Sequence, residues 1–134
     1  MENTKLIQMA KKAQKLSYSP YSKFKVGAAV LTKDGKIFLG ANIENSSYGL
    51  CMCAERNALY AAYLAGYMKS DIIAMALIGN TTSAITPCGA CRQVMGELMS
   101  PNAKIIMASS KKDVPILEKS VAELLPYAFD GSDL

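Results

Sequence analysis

Apolar residues along this chain recur with helical spacing in some segments and form short runs in others. Near the N-terminus, Leu6, Met9, Ala13 and Leu16 recur three or four residues apart, with lysines between them. This spacing places the apolar side chains on one face of a helix. It predicts an amphipathic helix over residues 4–17.

Short apolar runs predict the strands. Residues 26–32 form a nearly unbroken apolar run that is typical of a buried strand, and Asp34-Gly35 after it is a strong hairpin signal. Residues 36–41 would then return as the second strand. By the same reasoning we expect helices over 53–65 and 89–99, strands over 72–78 and 104–108, and a short last helix that Ser120 and Glu123 cap and Pro126 ends.

The order of these elements indicates the fold class. Helices that alternate with apolar strands are typical of a sheet covered by helices on both faces. The hairpin strands must be antiparallel, whereas strands joined by helical crossovers should be parallel. We therefore expect an α/β protein, a three-layer α/β/α sandwich with a mixed five-stranded sheet, as one domain over residues 1–134. The apolar pattern itself places four of the five strands.

The amino-acid composition limits both the cellular location that we expect and the catalytic groups that the protein can use. Hydrophobic residues make up 51% of the chain, yet no apolar run reaches the roughly 18 residues that a membrane span needs. The lysine-dotted N-terminus lacks the apolar block of a signal peptide, so we expect a cytoplasmic protein with no membrane partner. The chain has no histidine, which excludes Ser-His and Cys-His nucleophilic pairs and histidine-ligated metals.

The net charge of +4 comes from lysines that are spread along the chain. Such a distribution is typical of a solvated surface, and we expect no nucleic-acid partner. The arginines follow a different pattern, because the chain contains only Arg56 and Arg92, and each lies within three residues of a cysteine. This placement connects both arginines with the chemistry of the cysteines.

The four cysteines form two tight clusters, Cys51 with Cys53 and Cys88 with Cys91, instead of the scatter typical of a disulfide framework. In a reducing compartment this arrangement favours metal or redox chemistry. Cys88 and Cys91 have the spacing with which two thiolates bind one metal from a turn, and Cys53 would supply a third sulfur. Three protein ligands on Zn²⁺ leave the fourth position for water, as in catalytic zinc sites.

Three other interpretations of these residues stay open at this point. Cys51 could be a fourth ligand that closes a purely structural zinc site. Cys88 and Cys91 also have the spacing of a redox-active disulfide at a helix start. Glu55 could be an acidic residue that the helix dipole favours in a first turn. Its spacing of two residues from Cys53 would place the two side chains on opposite sides of an ideal helix.

The two arginines have a hypothetical role at such a site. Three thiolates would give the zinc site a net negative charge, which weakens the metal as a Lewis acid. The positive ends of two helices and the guanidinium groups of Arg56 and Arg92 could offset that charge. We hypothesise that these arginines donate hydrogen bonds to the thiolates and so lower the pKa of the water on the metal. The alternative is that both are ordinary surface residues.

The segment Cys53-Ala54-Glu55 and the Pro-Cys-x-x-Cys run that begins at Pro87 resemble the zinc signature of the cytidine deaminase family. The resemblance is to the small three-cysteine type, which is homotetrameric, and it covers nearly the whole chain. Three further blocks of the family have counterparts here, in residues 19–28, 42–45 and 124–129.

The resemblance implies a role for each segment. Cys53, Cys88 and Cys91 would hold one Zn²⁺ per subunit, whose activated water attacks C4 of cytosine. Glu55 would shuttle protons from that water to ring N3 and to the departing amine. Ammonia and uridine or deoxyuridine are the products, in pyrimidine salvage. Six residues would contact the nucleoside, two of them (Tyr48 and Phe129) in a neighbouring subunit's pocket: Phe24, Asn42, Glu44, Tyr48, Ala54 and Phe129.

The nucleoside block also bears on the substrate. Asn42 and Glu44 would bind the ribose hydroxyls, and a carboxylate there would repel a 3′-phosphate. The 42–50 loop contains no lysine or arginine for a 5′-phosphate. We therefore expect free cytidine and deoxycytidine as substrates, and not nucleotides, RNA or DNA. A deaminase of the blasticidin S type, a zinc-stabilised binding domain and a thiol–disulfide protein stay as alternatives.

Overall fold

The computed structural model describes residues 1–134, and the predicted helices and strands lie within a few residues of their expected bounds. None of its helices has both the length and the apolar character needed to cross a membrane. The elements in chain order are α1 (Asn3–Gln14), β1 (Val26–Thr32), β2 (Ile37–Ala41), α2 (Ala54–Leu64), β3 (Ile72–Gly79), α3 (Gly89–Leu98), β4 (Lys104–Ser109), β5 (Leu117–Ser120) and α4 (Val121–Leu124).

The five strands form one sheet in the order β2-β1-β3-β4-β5. β1 pairs antiparallel with both β2 and β3, β3 pairs parallel with β4, and β5 returns antiparallel to β4. The hairpin pair is thus antiparallel, and the pair joined through α3 is parallel, as the connections require. This confirms the expected mixed five-stranded sheet.

Helices cover both faces of the sheet, which confirms the three-layer α/β/α architecture. On one face, Leu6 and Ala10 of α1 pack against apolar side chains of β1, β3 and β4. On the other face, Leu59 of α2 and Met95 of α3 belong to a larger apolar cluster. Because both faces are covered, every residue of β1 is buried, which explains its nearly continuous apolar sequence.

Gly40 sets how closely β2 approaches α2. A Cβ atom at this position would lie 2.4 Å from both the carbonyl oxygen of Ala54 and the amide nitrogen of Ala58. Glycine is the residue that leaves room for the helix backbone there. Because Ala54 is the first residue of α2, this contact seats the start of the helix directly on the sheet.

β5 is the strand that the apolar pattern did not place. Its sequence, Leu-Glu-Lys-Ser, is short and mostly exposed at the edge of the sheet. Charged residues on an edge strand are a common protection against aggregation, but they remove the apolar signal that predicts a strand. The predicted last helix does follow, with Ser120 Oγ accepting from the Glu123 amide and the Glu123 carboxylate accepting from the Ser120 amide.

Candidate metal centre and active site

Three cysteine sulfurs come together where α2 and α3 begin. Cys53 is the N-cap residue of α2, Cys88 is the N-cap residue of α3, and Cys91 lies in the first turn of α3. Their Sγ atoms all lie within 4.8 Å of one another. Helix N-termini carry unsatisfied N–H groups and a partial positive charge, so both helix starts favour thiolates.

This set of donors fits Zn²⁺. Thiolates bound to tetrahedral zinc at about 2.3 Å lie about 3.8 Å apart, and the three sulfurs, all within 4.8 Å of one another, can adopt that spacing. The group contains three donors and no fourth side chain. Cys51 lies outside it, and its Sγ exchanges hydrogen bonds with the backbone of Asn45. The geometry therefore gives no support to a closed structural site that includes Cys51.

The sulfurs differ in their affinity for protons. Hydrogen bonds with Cys91 and with the guanidinium of Arg56 lower the pKa of Cys53 to about 5. Arg56 Nη2 donates to Cys53 Sγ at 3.4 Å. The contact with Cys53, together with burial, raises the pKa of the Cys91 thiol. The first negative charge of the metal-free cluster therefore settles on Cys53, beside the arginine.

Glu55 is the buried acid of the site, with 5% of its surface exposed. Burial raises its pKa, and the charge of Cys53 acts in the same direction, whereas a hydrogen bond with Cys91 opposes both. Glu55 and the sulfurs thus share one site despite the two-residue spacing from Cys53. The reason is that Cys53 precedes the helix with extended backbone angles (φ −73°, ψ 152°), so helical geometry does not separate the two side chains.

Arg92 does not share the position of Arg56. Its Nε donates to the carbonyl of Pro87 at 2.8 Å, and its Nη1 donates to the carbonyl of Leu124 at 3.1 Å. The guanidinium is therefore engaged by backbone oxygens and not by a sulfur. Of the two hypothesised bonds from arginine to thiolate, the structure contains the one from Arg56.

Asn42 organises the segment that precedes β1. Its Oδ1 accepts hydrogen bonds from the Val26 amide, at 2.9 Å, and from the Ser17 hydroxyl. Its Nδ2 donates to the carbonyl of Phe24 at 2.7 Å. A side-chain amide has two N–H groups, so one of them is left for a ligand. Phe24, whose backbone is held in this way, is 42% exposed.

Glu44 is fixed by a segment that sequence reasoning did not connect with it. Its carboxylate accepts from the amides of Tyr21 and Ser22, both at 3.1 Å, and from the Ser22 hydroxyl. The hydrogen bond from that hydroxyl, together with the amide bonds and the nearby charge of Lys23, lowers the pKa of Glu44. The signal that could have shown this was the 19–28 block. Lys23 adds a positive charge near the Glu44 carboxylate.

A cleft of about 350 Å³ opens beside Glu44, between Tyr21, Ser22, Tyr48 and Cys51. The rings of Tyr21 and Tyr48 meet edge-on, with their centroids 6.2 Å apart. Tyr48 is 73% exposed. The structure therefore brings the expected contacts Glu44 and Tyr48 to one surface.

Two expected nucleoside contacts are placed differently. Ala54 is fully buried, its backbone included, so no part of it is open to a ligand in this structure. Phe129 is 66% exposed and lines a separate groove with Leu125 and Pro126. Its carbonyl accepts a hydrogen bond from Gln93 Nε2 at 3.0 Å. Within one chain, Phe129 thus belongs to the C-terminal segment (residues 121–134) and not to the cleft beside Glu44.

Known proteins resemble this chain over nearly its whole length. Residues 1–108 match the family of the cytidine and deoxycytidylate deaminase zinc-binding region. The cytidine deaminase of Halalkalibacterium halodurans is 47% identical over 134 residues, which cover all of this chain and 98% of the relative. The probable cytidine deaminase of Dictyostelium discoideum is 42% identical, over 99% of this chain and 87% of the relative.

Solved structures agree with the sequence relatives. The crystal structure of cytidine deaminase from Burkholderia pseudomallei matches with a TM-score of 0.93 and 50% identity, over 96% of this chain and 100% of that chain. The structure of cytidine deaminase from Mycobacterium tuberculosis matches with a TM-score of 0.80 and 34% identity, over 97% and 98%. Sequence, fold and the three-cysteine cluster together show that the chain belongs to the cytidine and deoxycytidylate deaminase family.

Proposed function

We propose that this protein removes the amino group of free cytidine and deoxycytidine by hydrolysis, which leaves uridine or deoxyuridine and releases ammonia. The observation that carries the proposal is the meeting of three cysteine sulfurs with one buried carboxyl group, Glu55, in a member of this deaminase family. A donor set of three sulfurs leaves a metal one position for solvent, and the adjacent carboxyl group can move protons.

Cys53, Cys88 and Cys91 would hold one Zn²⁺ per chain. When bound, the metal makes a water molecule nucleophilic near neutral pH, as attack on C4 of cytosine requires. Zinc binding needs deprotonated sulfurs. The hydrogen bond from Arg56 and the N-terminus of α2 favour the thiolate form of Cys53, so this sulfur should be ready to bind the metal at neutral pH.

Glu55 would carry the protons of the reaction. Its carboxylate takes one proton from the attacking water and delivers it to ring N3 of cytosine. A second proton, from the hydroxyl group then present on C4, passes through the same carboxylate to the amine, which leaves as ammonia. Burial raises the pKa of Glu55, which brings it closer to neutral pH, where one group can both accept and donate protons.

Asn42 and Glu44 would bind the ribose. The remaining N–H of Asn42 can donate to a sugar hydroxyl, and the ionised carboxylate of Glu44 can accept from one. Phe24 and Tyr48 would offer aromatic surface to the base and the sugar.

The expected substrate class follows from the charge of Glu44. Its carboxylate would repel a phosphate on the sugar hydroxyl that it binds. Turnover of cytidine should therefore be compared with turnover of CMP and of a cytosine-containing oligonucleotide. We expect efficient turnover of the nucleoside alone, and comparable rates on CMP or the oligonucleotide would contradict a nucleoside-specific site.

The substitution Glu55→Gln tests the proposed function. We expect kcat for cytidine to fall by about 10²- to 10⁴-fold, because the amide cannot shuttle protons. Zinc content, measured by mass spectrometry of the metal, should stay at the wild-type level because Glu55 is not one of the three donors. The matched control is Glu97→Gln, which removes a charge from an exposed position of α3. Near-wild-type turnover by the Glu55 variant would refute the proposal.

We further propose that the chain acts as one catalytic domain in a cytoplasmic homotetramer that serves pyrimidine salvage. Tyr48 and Phe129 are 73% and 66% exposed, and exposed aromatic side chains are typical of protein interfaces. In a tetramer, Phe129 of one chain could reach the pocket of another. Light scattering of the purified protein should give four times the mass of one chain, and Phe129→Ala should raise KM for cytidine.

A further inference from the structure

We propose that Arg92 is a positioning residue, which holds the turn that carries Cys88 and Cys91 by tying it to the C-terminal segment. The proposal rests on the metal centre described above and concerns how that centre is kept in shape. Two hydrogen bonds of its side chain carry it. Nε donates to the Pro87 carbonyl at 2.8 Å, and Nη1 donates to the Leu124 carbonyl at 3.1 Å.

The turn before α3 needs such support because few other bonds hold it. Between the end of β3 and Cys88 the chain has no regular structure. Ile85 donates its amide to the carbonyl of Ala108, and Thr81 is tied to Ser109, but both contacts lie at the start of the turn or in its middle. The carbonyl of Pro87, directly before the first sulfur ligand, is held by the Arg92 side chain. The carbonyl of Cys88 accepts from the Arg92 amide, which is a helix bond that does not depend on the side chain.

Arginine is well suited to bridging two backbone carbonyls. Its planar guanidinium offers five N–H donors in a rigid arrangement, so one side chain can donate to carbonyls of two different segments at the same time. Here one carbonyl belongs to the metal-binding turn and the other to the last residue of α4. The bonds of Arg92 therefore couple the position of two sulfur ligands to the docking of the C-terminal segment.

The neighbouring residue provides a matched control. Gln93 also fastens the C-terminal segment, through the bond from its Nε2 to the Phe129 carbonyl, but its side chain forms no hydrogen bond with the turn. If the two side chains only stabilised the C-terminal segment, their removal would have the same consequences. If Arg92 positions the sulfurs, its removal alone should change the metal site.

The experiment uses the metal-loaded protein and three variants, Arg92→Ala, Arg92→Lys and Gln93→Ala. Zinc transfer to a chromophoric chelator and the absorption of the Co²⁺-substituted protein report on the site without any assay of activity. Removal of groups that orient metal ligands typically weakens metal affinity about 10- to 100-fold. We expect Arg92→Ala to release zinc faster by a factor in this range and to shift the sulfur-to-cobalt bands, and Gln93→Ala to match the wild type.

Arg92→Lys, which can donate to one carbonyl but cannot bridge two, should release zinc at an intermediate rate. If Arg92→Ala does not fold, the zinc-release rate of Arg92→Lys still tests whether Arg92 positions the sulfurs. Wild-type zinc release and cobalt spectra in the arginine variants, or equal changes in the Gln93 variant, would overturn the proposal. These readouts are independent of the proposed reaction, because they would test Arg92 equally in a protein that does not deaminate cytidine.

Discussion

The starts of α2 and α3 are two versions of one local structure. Each helix has a cysteine at its N-cap, in extended backbone conformation, and each has an arginine close behind it. The difference lies at the third helical position, where α2 has Arg56 and α3 has Cys91. The first helix therefore supplies one sulfur and a guanidinium that donates to it, whereas the second supplies two sulfurs.

The two starts also differ in what holds them. The first residue of α2 is fully buried and lies directly against β2, where Gly40 leaves room for the helix backbone. The first residue of α3, Gly89, is exposed, and an added Cβ there would meet nothing within 4 Å. The start of α2 is fixed by packing against the sheet, whereas the start of α3 is held by the hydrogen bonds of Arg92. Similar placement of metal ligands can therefore be maintained by different kinds of interaction.

Substitution of the cysteine ligands should have the largest effect on zinc content and on turnover. Cys53→Ser and Cys91→Ser each remove one of three ligands, from α2 and α3 respectively, so both should lose zinc and lower turnover by orders of magnitude. Metal analysis after dialysis measures the loss. Cys51→Ser is the matched control and should keep its zinc, since the Cys51 sulfur lies outside the cluster. Loss of metal from the control would mean that Cys51 is a ligand after all.

Adding one methyl group at each helix start should separate the two supports. In Gly40→Ala the new Cβ would lie 2.4 Å from backbone atoms of α2 that cannot move aside, so we expect a loss of about 1–3 kcal/mol or more in the free energy of unfolding. Gly89→Ala has open space and should change the free energy of unfolding by less than about 1 kcal/mol, in the stabilising direction. Urea unfolding of both variants measures the difference, and equal losses would contradict the contrast.

The hydrogen bond from Arg56 should give the smallest effect, visible in the metal-free protein. Because Cys91 and Arg56 lower the pKa of Cys53 to about 5, its thiolate should persist at pH 6 and disappear as the pH falls through that value. Arg56→Gln removes one of these causes, so the pKa should rise and the rate of alkylation at pH 6 should fall. Arg56→Lys keeps a positive charge and should shift the pKa less. An unchanged pH profile in both variants would show that the arginine has no influence on the sulfur.

Local sequence signals predicted much of this molecule. The apolar runs predicted β1 to β4, and the helix signals placed α2 and α3 with cysteines at their starts, because burial on both sheet faces and helix capping are read within a few residues. β5 escaped prediction since an exposed edge strand of four residues is specified by its pairing with β4. The resemblance, and not the periodicity, supplied the fifth strand and the roles of Asn42 and Glu44.

What the sequence determined by itself is the inventory: which residues can bind metal, where helices begin, and that no histidine takes part. What the tertiary structure decided is which acceptor each side chain reaches. Arg56 and Arg92 look alike in sequence, each near a cysteine, yet one donates to a sulfur and the other to two carbonyls, one of them from the C-terminal segment. A long side chain can reach several acceptors, and residues distant in sequence decide which of them lies within hydrogen-bonding distance.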